Sequence, residues 1–318
     1  MPSIKAIKQR IKSVKNTSQI TKAMEVVSAT KMRKAQNFTM CARPFAVASL
    51  ELLQNLLSRT PVLPPLLQAR PVKTSLLLVV TSDKGLAGAF NANVLNLAEK
   101  WTAEKKKNGA NFSLVAVGKR ARDYFERRNT PILKSFVGFG DYSTFEETSP
   151  MAEEVLKAFL SGQIDEAEAA YTSFRTTLRQ EATLKKILPV TKEGIQEIVR
   201  SILPESGRYA ETEDRRPHTA ELSGFRQETR YSYEYKFEPS PAEILNILVP
   251  RLLQMHVHHI VLESNASEHS ARMVAMKNAS DNAKELTASL RLIYNKARQT
   301  SITKELTEIT AGREALEQ

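Results

Sequence analysis

From about Ser3 to Ser58 apolar residues recur at helical intervals and no glycine interrupts them. Ser3 can cap the start, and Ile4, Ile7, Ile11 and Val14 follow at steps of 3, 4 and 3, a spacing that lines one face of a helix. The stripe is read as resuming at Ile20, Met24 and Val27. About 55 helical residues would span roughly 80 Å, more than an ordinary domain needs. Pro44 removes one backbone hydrogen bond and is expected to kink this helix without ending it, because Phe45 to Leu57 stays helix-forming.

The pattern changes after Thr60-Pro61-Val62-Leu63-Pro64-Pro65. Ser75 to Thr81 is a continuous apolar run that predicts a strand buried on both faces. Helix over Asn91 to Lys107, strand over Phe112 to Val117, helix over Arg120 to Arg128 and strand over Ile132 to Val137 follow. Pro150 to Ser161 then reads as helix, and Glu166 to Arg175 and Leu184 to Val190 as strands. This alternation predicts an α/β layer around a largely parallel sheet. Residues 204–240 are polar and rich in Arg and Glu, then alternate Tyr231, Tyr233, Tyr235 and Phe237; a loop and one edge strand are expected.

Beyond Pro239 and Pro241 a second long helix is expected, from about Ala242 to Glu314, roughly 110 Å at the helical rise. Leu286, Leu290, Ile293 and Ala297 repeat at 4, 3 and 4, and Ile302, Leu306 and Ile309 at 4 and 3. Two terminal helices with near-heptad stripes can bury them against each other. One chain enters and leaves through the same α/β body, so the pair is expected to be antiparallel, a rod on a globular base.

Composition narrows the classes. The 318 residues are 42% hydrophobic and 25% charged, a folded composition, and no apolar run reaches the roughly 20 residues of a membrane span. A single cysteine, Cys41, rules out a disulfide framework and a zinc ribbon. The net charge is +11 and unevenly placed. Residues 1–34 hold nine Lys/Arg against Glu25, whereas residues 278–318 hold six of each sign. A basic first helix admits a nucleic-acid arm, a membrane-surface helix, a transit peptide or a face for acidic protein. No apolar core of a secretory signal is present in residues 1–34, and a Lys-rich stretch with a core-like stripe does not fit a transit peptide.

The candidate chemistry is thin. Lys84-Gly85-Leu86-Ala87-Gly88 follows a strand and precedes a helix, but it is not GxxxxGK[ST]. A small anion at the helix start is conceivable there, and a tight turn is the plainer reading. His256 and His259 share a helix face, with no Glu between them and no Cys or third His near. Packed or surface histidines are expected. Tyr231, Tyr233 and Tyr235 could stack bases or pack one strand face on a helix. Glu305 and Glu308 have no nucleophile beside them. No catalytic, cofactor or metal constellation is assigned.

Four blocks carry a resemblance: residues 16–36 (NTSQITKAMEVVSATKMRKAQ), 81–91 (TSDKGLAGAFN), 263–277 (ESNASEHSARMVAMK) and 294–309 (YNKARQTSITKELTEI). Together, in order and over nearly the whole chain, they closely resemble the gamma subunit of F-type ATP synthases. The family usually reads Gly and small apolar residues after the position of Glu308, whereas here Gly312 is followed by Arg313 and Glu314. The redox Cys pair of plant chloroplast members has no counterpart here.

The resemblance implies an α/β fold class with a long antiparallel coiled coil of the N- and C-terminal helices plus a central Rossmann-like α/β domain. Expected boundaries are 1–59 for the first helix, 60–240 for the α/β domain with a polar loop at about 204–230, and 241–318 for the last helix. The implied function is a central-stalk rotor that does no bond chemistry itself and needs no cofactor. Implied partners are the alpha and beta subunits of the hexamer, the epsilon subunit and the c-subunit ring, through which membrane association is indirect. The location implied is the cytoplasmic face of the bacterial plasma (inner) membrane, since the chain starts almost directly on the helix. Matched residue by residue, contacts with the hexamer fall to Lys22, Met24, Arg298, Gln299, Thr303, Glu305 and Glu308. Met24 could equally be coiled-coil core. The expected seam is Ile4, Ile7, Ile11 and Val14 against Leu286, Leu290, Ile293 and Ala297. The rival reading is a nucleic-acid adaptor with the basic arm on phosphates, which predicts steep salt dependence and leaves the Ile302-to-Ile309 block without a reason.

Overall fold

A computed structural model describes residues 3–41, 52, 53, 56, 60, 64–139, 143–190 and 238–316. Pro44, the 204–230 loop and the Tyr231-to-Phe237 stripe lie outside the described residues. The described chain runs α1 (Ile4–Cys41), a short 3-10 turn (Pro65–Leu67), β1 (Thr74–Val80), α2 (Phe90–Lys107), β2 (Asn111–Val117), α3 (Lys119–Glu126), β3 (Ile132–Phe136), α4 (Phe145–Leu160), β4 (Glu166–Phe174), β5 (Gln180–Leu188) and α5 (Pro241–Leu316). It divides into two compact units, residues 1–29 with 272–318, and residues 30–271.

In the larger unit the sheet order is β3-β2-β1-β4-β5. β1 is parallel to β2 and β4, and β2 is parallel to β3. β5 returns antiparallel along β4, starting at Gln180, four residues before the expected strand. Alternation along β1 divides the core into two layers. Leu76, Leu78 and Val80 join α4 and the first half of α5, with Met151, Val155, Phe159, Leu245, Val249, Leu253 and Val257 among their cluster. Leu77 and Val79 join α2 and α3, against Val94, Ala98, Trp101 and Phe125. Trp101 donates its indole N–H to Glu168, and Lys105 sits 2.5 Å from the buried Glu166.

Local signals explain the ends. α4 starts at Phe145, not Pro150, because Thr144 and Glu147 form a reciprocal capping box and Pro150 falls in the second turn. Ser240 accepts from the Glu243 N–H (3.3 Å) at the start of α5, and Ser3 from the Ala6 N–H (3.2 Å) at the start of α1. Gly118 joins β2 to α3 at φ +89°, and a Cβ there would lie 2.3 Å from the Thr81 carbonyl oxygen. Only glycine fits so close to the end of β1.

In the smaller unit α1 and α5 pair along buried rows. On α1 the row is Ile4, Ile7, Ile11, Val14, Ser18, Thr21, Glu25 and Ser28, buried or half-buried at steps of 3 and 4. On α5 it is Met276, Ser280, Ala283, Thr287, Leu290, Tyr294 and Ala297. The hydroxyls of Ser18 and Ser280 each reach the other's carbonyl oxygen at 3.4 Å, a close approach that only small side chains allow. With Ser18 level with Ser280 in an antiparallel pair, Ile4 is level with residue 280 + 14 = 294. Most of α5 beyond Ala297 therefore has no α1 opposite it, and Ile302, Leu306 and Ile309 are exposed.

Ile7→Asp is expected to lower the stability of the helical pair by roughly 3–5 kcal/mol, since it buries an unpaired charge. Ile20→Asp, on a side chain 60% exposed, is expected to stay within about 0.5 kcal/mol. Denaturant unfolding followed by far-UV circular dichroism checks both; equal losses would place Ile20 in the buried row.

Candidate functional site

The heptad on α1 buries small polar residues after Val14, and this redirects its apolar ones. Thr21 and Ser28 are buried whereas Ile20, Val26 and Val27 are exposed, so the stripe does not resume through Ile20 and Val27 as the sequence suggested. Met24 is half-buried at the edge of the row. On α5, Leu290 is buried and Ala297 half-buried, while Leu286 and Ile293 are exposed. Their positions in the row are taken by Thr287 and Tyr294, each one residue further on. Of the two adjacent rows, the one that holds Thr287, Leu290 and Tyr294 faces α1.

The remaining candidates all point to solvent. Lys22 is exposed and paired with Glu25 at 3.0 Å. Arg298, Gln299, Thr303, Glu305 and Glu308 are exposed. Thr303 donates its hydroxyl to the Gln299 carbonyl (3.0 Å), Glu305 accepts from Ser301 (3.2 Å), and Glu308 faces Lys304 at 3.6 Å. Asp281 is held below the usual carboxylate range by its hydrogen bond to Lys284, with Lys277 and Lys22 adding to the effect. The outward surface therefore mixes Ile302, Leu306, Ile309, Leu292 and Ile293 with both signs of charge. Such a surface suits broad, shallow contact with protein.

At the strand ends of the α/β unit the chain's own groups fill the turn after β1. The turn after β1 is tight, with Leu86 and Gly88 left-handed. Asp83 accepts from the Lys119 N–H (2.7 Å) and the Gly138 N–H (2.9 Å). A carboxylate of the chain itself thus occupies the first turn of α3, where a bound anion would gain most from free N–H groups. Ser82 and Asn91 close the turn through bonds of 2.8–3.1 Å.

The three histidines are structural neighbours with separate surroundings. His258 Nδ1 lies 2.9 Å from the Thr148 hydroxyl and edge-on to Phe145. His256 and His259 are buried; His259 Nδ1 is 3.9 Å from Glu263. Among the described residues no group of three His, Cys, Asp or Glu is placed to hold a metal ion. Burial, with the neighbouring His259 and Lys185, pushes His256 down to about 3, and among the described residues neither ring nitrogen meets a hydrogen-bond partner. Burial likewise raises Glu263, against the opposing pull of Ser173 and Lys185.

Comparison with known proteins decides the family. The family model described as ATP synthase matches residues 3–316. The ATP synthase gamma chain of Rippkaea orientalis is 41% identical, covering 99% of this chain and 100% of that one. The ATP synthase gamma chain of Roseiflexus castenholzii is 39% identical over 99% of both. The chain belongs to the ATP synthase gamma-chain family. Its fold is shared by a chain of the Euglena gracilis mitochondrial ATP synthase assembly of OSCP, F1 and c-ring, at 18% identity and a TM-score of 0.61 over 98% of this chain and 94% of that one. A chain of the Tetrahymena thermophila central stalk and c-ring gives 24% identity and a TM-score of 0.56, over 82% of this chain and 99% of that one.

The buried histidine makes a prediction about pH. His256 is neutral in the fold and titrates near the ordinary value of ~6.5 when unfolded. The stability it permits above pH 6.5 is lost as pH falls toward 3, at up to about 1.4 kcal/mol per pH unit. His256→Leu should therefore unfold less readily than the parent between pH 6 and 4, with the gap widening as pH drops. Thermal melts across that range check it; parallel pH profiles would place His256 in contact with water.

Proposed function

We propose that this gamma chain is the central-stalk rotor of an F-type ATP synthase, with the α1/α5 pair on the axis of a hexamer of three alpha and three beta subunits. The observation that carries the reading is the outward surface of that pair: exposed Ile302, Leu306 and Ile309 interleaved with Arg298, Lys304, Glu305 and Glu308 on a helix that extends past its partner. A surface that must turn inside a ring cannot bind any one angle tightly. A well of about 4 kcal/mol would slow escape roughly a thousandfold, since each 1.36 kcal/mol is tenfold. Shallow apolar contacts and exposed, mutually paired charges meet that requirement.

The asymmetric pair presents a different side to each beta site and biases it between open, loose and tight nucleotide states, a population shift set by differential contact. The chain is a non-catalytic subunit, and hydrolysis or synthesis of ATP takes place at the beta sites. The α/β unit serves as the base, with the c ring and the epsilon subunit as partners. Among the described residues no helix is long and apolar enough to cross a membrane, and attachment to the cytoplasmic face of a bacterial inner membrane through the c ring fits that. Lys22, Met24, Arg298, Gln299, Thr303, Glu305 and Glu308 are the proposed hexamer contacts.

Copurification tests the assembly. A tagged chain should bring down alpha and beta subunits; RNA released by salt in their place would favour the nucleic-acid adaptor. Coupling tests the contacts. An Arg298 guanidinium held to a surrounding ring gains charge-assisted hydrogen bonds worth about 1.5–3 kcal/mol each, available only at certain angles. Arg298→Ala should leave assembly intact and change the protons pumped per ATP hydrolysed, with a smaller change in Gln299→Ala, whose bonds are neutral. An unchanged ratio in the double variant, measured as pumping and ATPase in the same membranes, would leave shape as the sole coupling device.

The isolated chain should show no ATPase activity, because its sequence holds no phosphate loop and no base is positioned for one among the described residues. Activity that copurifies with the chain and vanishes in Lys84→Ala would transfer the function to the turn after β1.

A further inference from the structure

Within the α/β unit, α5 meets two kinds of neighbour. Leu245, Val249, Leu253, Val257 and Ile260 belong to the apolar cluster of β1, β4 and α4. Apolar contact of this kind is non-directional, so it resists separation more than rolling or sliding. Further along the same helix the contacts become polar and directional. Glu263, Ser267 and Ser270 stand at i, i+4 and i+7 on one face and are buried. Each grips the β4–β5 hairpin at a different level.

Glu263 Oε1 accepts from the Ser173 hydroxyl at 2.6 Å and from the Phe174 N–H at 3.1 Å. The Ser267 hydroxyl donates to the Thr172 carbonyl at 3.1 Å. The Ser270 hydroxyl donates to the Thr177 carbonyl at 2.7 Å and accepts from the Gln180 amide at 3.2 Å. That amide also donates to the Thr176 and Thr177 carbonyls, which ties the turn of the hairpin to the helix. These bonds spread over eight residues, about 10 Å of helix axis. Each weakens steeply once its angle departs from linear. A small rotation of α5 about its own axis would strain them all in the same sense.

Hairpin partners of this type are not needed to keep the helix buried, since the neighbouring apolar face does that. What they add is a fixed azimuth and a fixed register. α5 continues from Ser270 through residues 272–316 without a break, so a twisting moment applied to the α/β unit enters the rest of the helix through this stretch. We propose that the β4–β5 hairpin is the torsion catch of the rotor, with Glu263, Ser267 and Ser270 as positioning residues that transmit torque between the base and α5. The proposal rests on the rotor reading above.

The experiment uses the assembled complex of alpha, beta and gamma chains, fixed to a surface by the hexamer. A bead is attached to the base through Lys107→Cys in a Cys41→Ala background. Rotation of the bead on adding ATP tests the rotor reading, and its absence in the parent would overturn that reading. The width of the bead's angular fluctuation during catalytic pauses gives the torsional stiffness, which a merely structural role would not change in a complex that is assembled and active. Ser267→Ala with Ser270→Ala is expected to halve the stiffness or more while the ATPase rate stays near the parent's. Ser270→Ala by itself should give an intermediate value and serves if the double variant fails to assemble. Glu263→Gln keeps the Oε1 acceptor and should match the parent, whereas Glu263→Leu should soften the rotor. Rotation at parental stiffness in the serine variants, or equal softening by Glu263→Gln and Glu263→Leu, would overturn the catch.

Discussion

A helix of 76 residues has to find burial along most of its length, and α5 is that helix. Intrinsic propensity contributes little to so long an element in water; tertiary contact on an apolar face supplies most of its stability. The consequences run in sequence order. From Leu245 to Val261 the helix closes one layer of the α/β core. From Glu263 to Ser270 it is held by hydrogen bonds to a hairpin. From Met276 to Ala297 a single heptad row lies against α1, and past that point it presents exposed charge and isolated apolar side chains.

Each kind of burial suits a different mechanical duty. The apolar layer is strong and non-directional. The polar stretch is directional and needs every buried group satisfied, since an unmet donor or acceptor costs about 1–3 kcal/mol. Glu263 illustrates the compromise: Ser173 and Phe174 hold one oxygen, and burial still pushes the carboxyl upward. Where Ser18 meets Ser280 the helical pair uses small residues that bring two backbones close, while Ile20, Val27, Leu286 and Ile293 face outward. An outward apolar surface would be a liability on a free protein.

The strand ends of the α/β unit show how a shared fold is put to other use. The parallel strands β1 and β2, followed by α2 and α3, make the kind of crevice that receives phosphates in dinucleotide-binding folds. Here Asp83 fills the first turn of α3 with the chain's own carboxylate, and Gly118 serves close backbone packing against Thr81. The fold's layout survives and its ligand chemistry is replaced by internal bonds. A fold by itself does not carry a function.

Much of this was legible in the residues. The apolar run of β1, the strand-helix alternation and the two long periodic ends follow from side-chain period, which local spacing reports directly. The four blocks of family resemblance identified the function class. What spacing could not settle was which of two adjacent rows faces inward: Ile20 and Val27 looked like core, yet Thr21 and Ser28 are buried. That choice depends on the partner helix: the two backbones come close where Ser18 meets Ser280, and such an approach needs small side chains. The antiparallel return of β5 was likewise hidden, because Gln180 to Thr183 alternates too weakly to mark a strand until β4 offers its free edge. Nor could sequence announce the bonds of Glu263, Ser267 and Ser270, which join residues some ninety positions apart. Local period reports which faces exist; only the packed chain decides what each face meets.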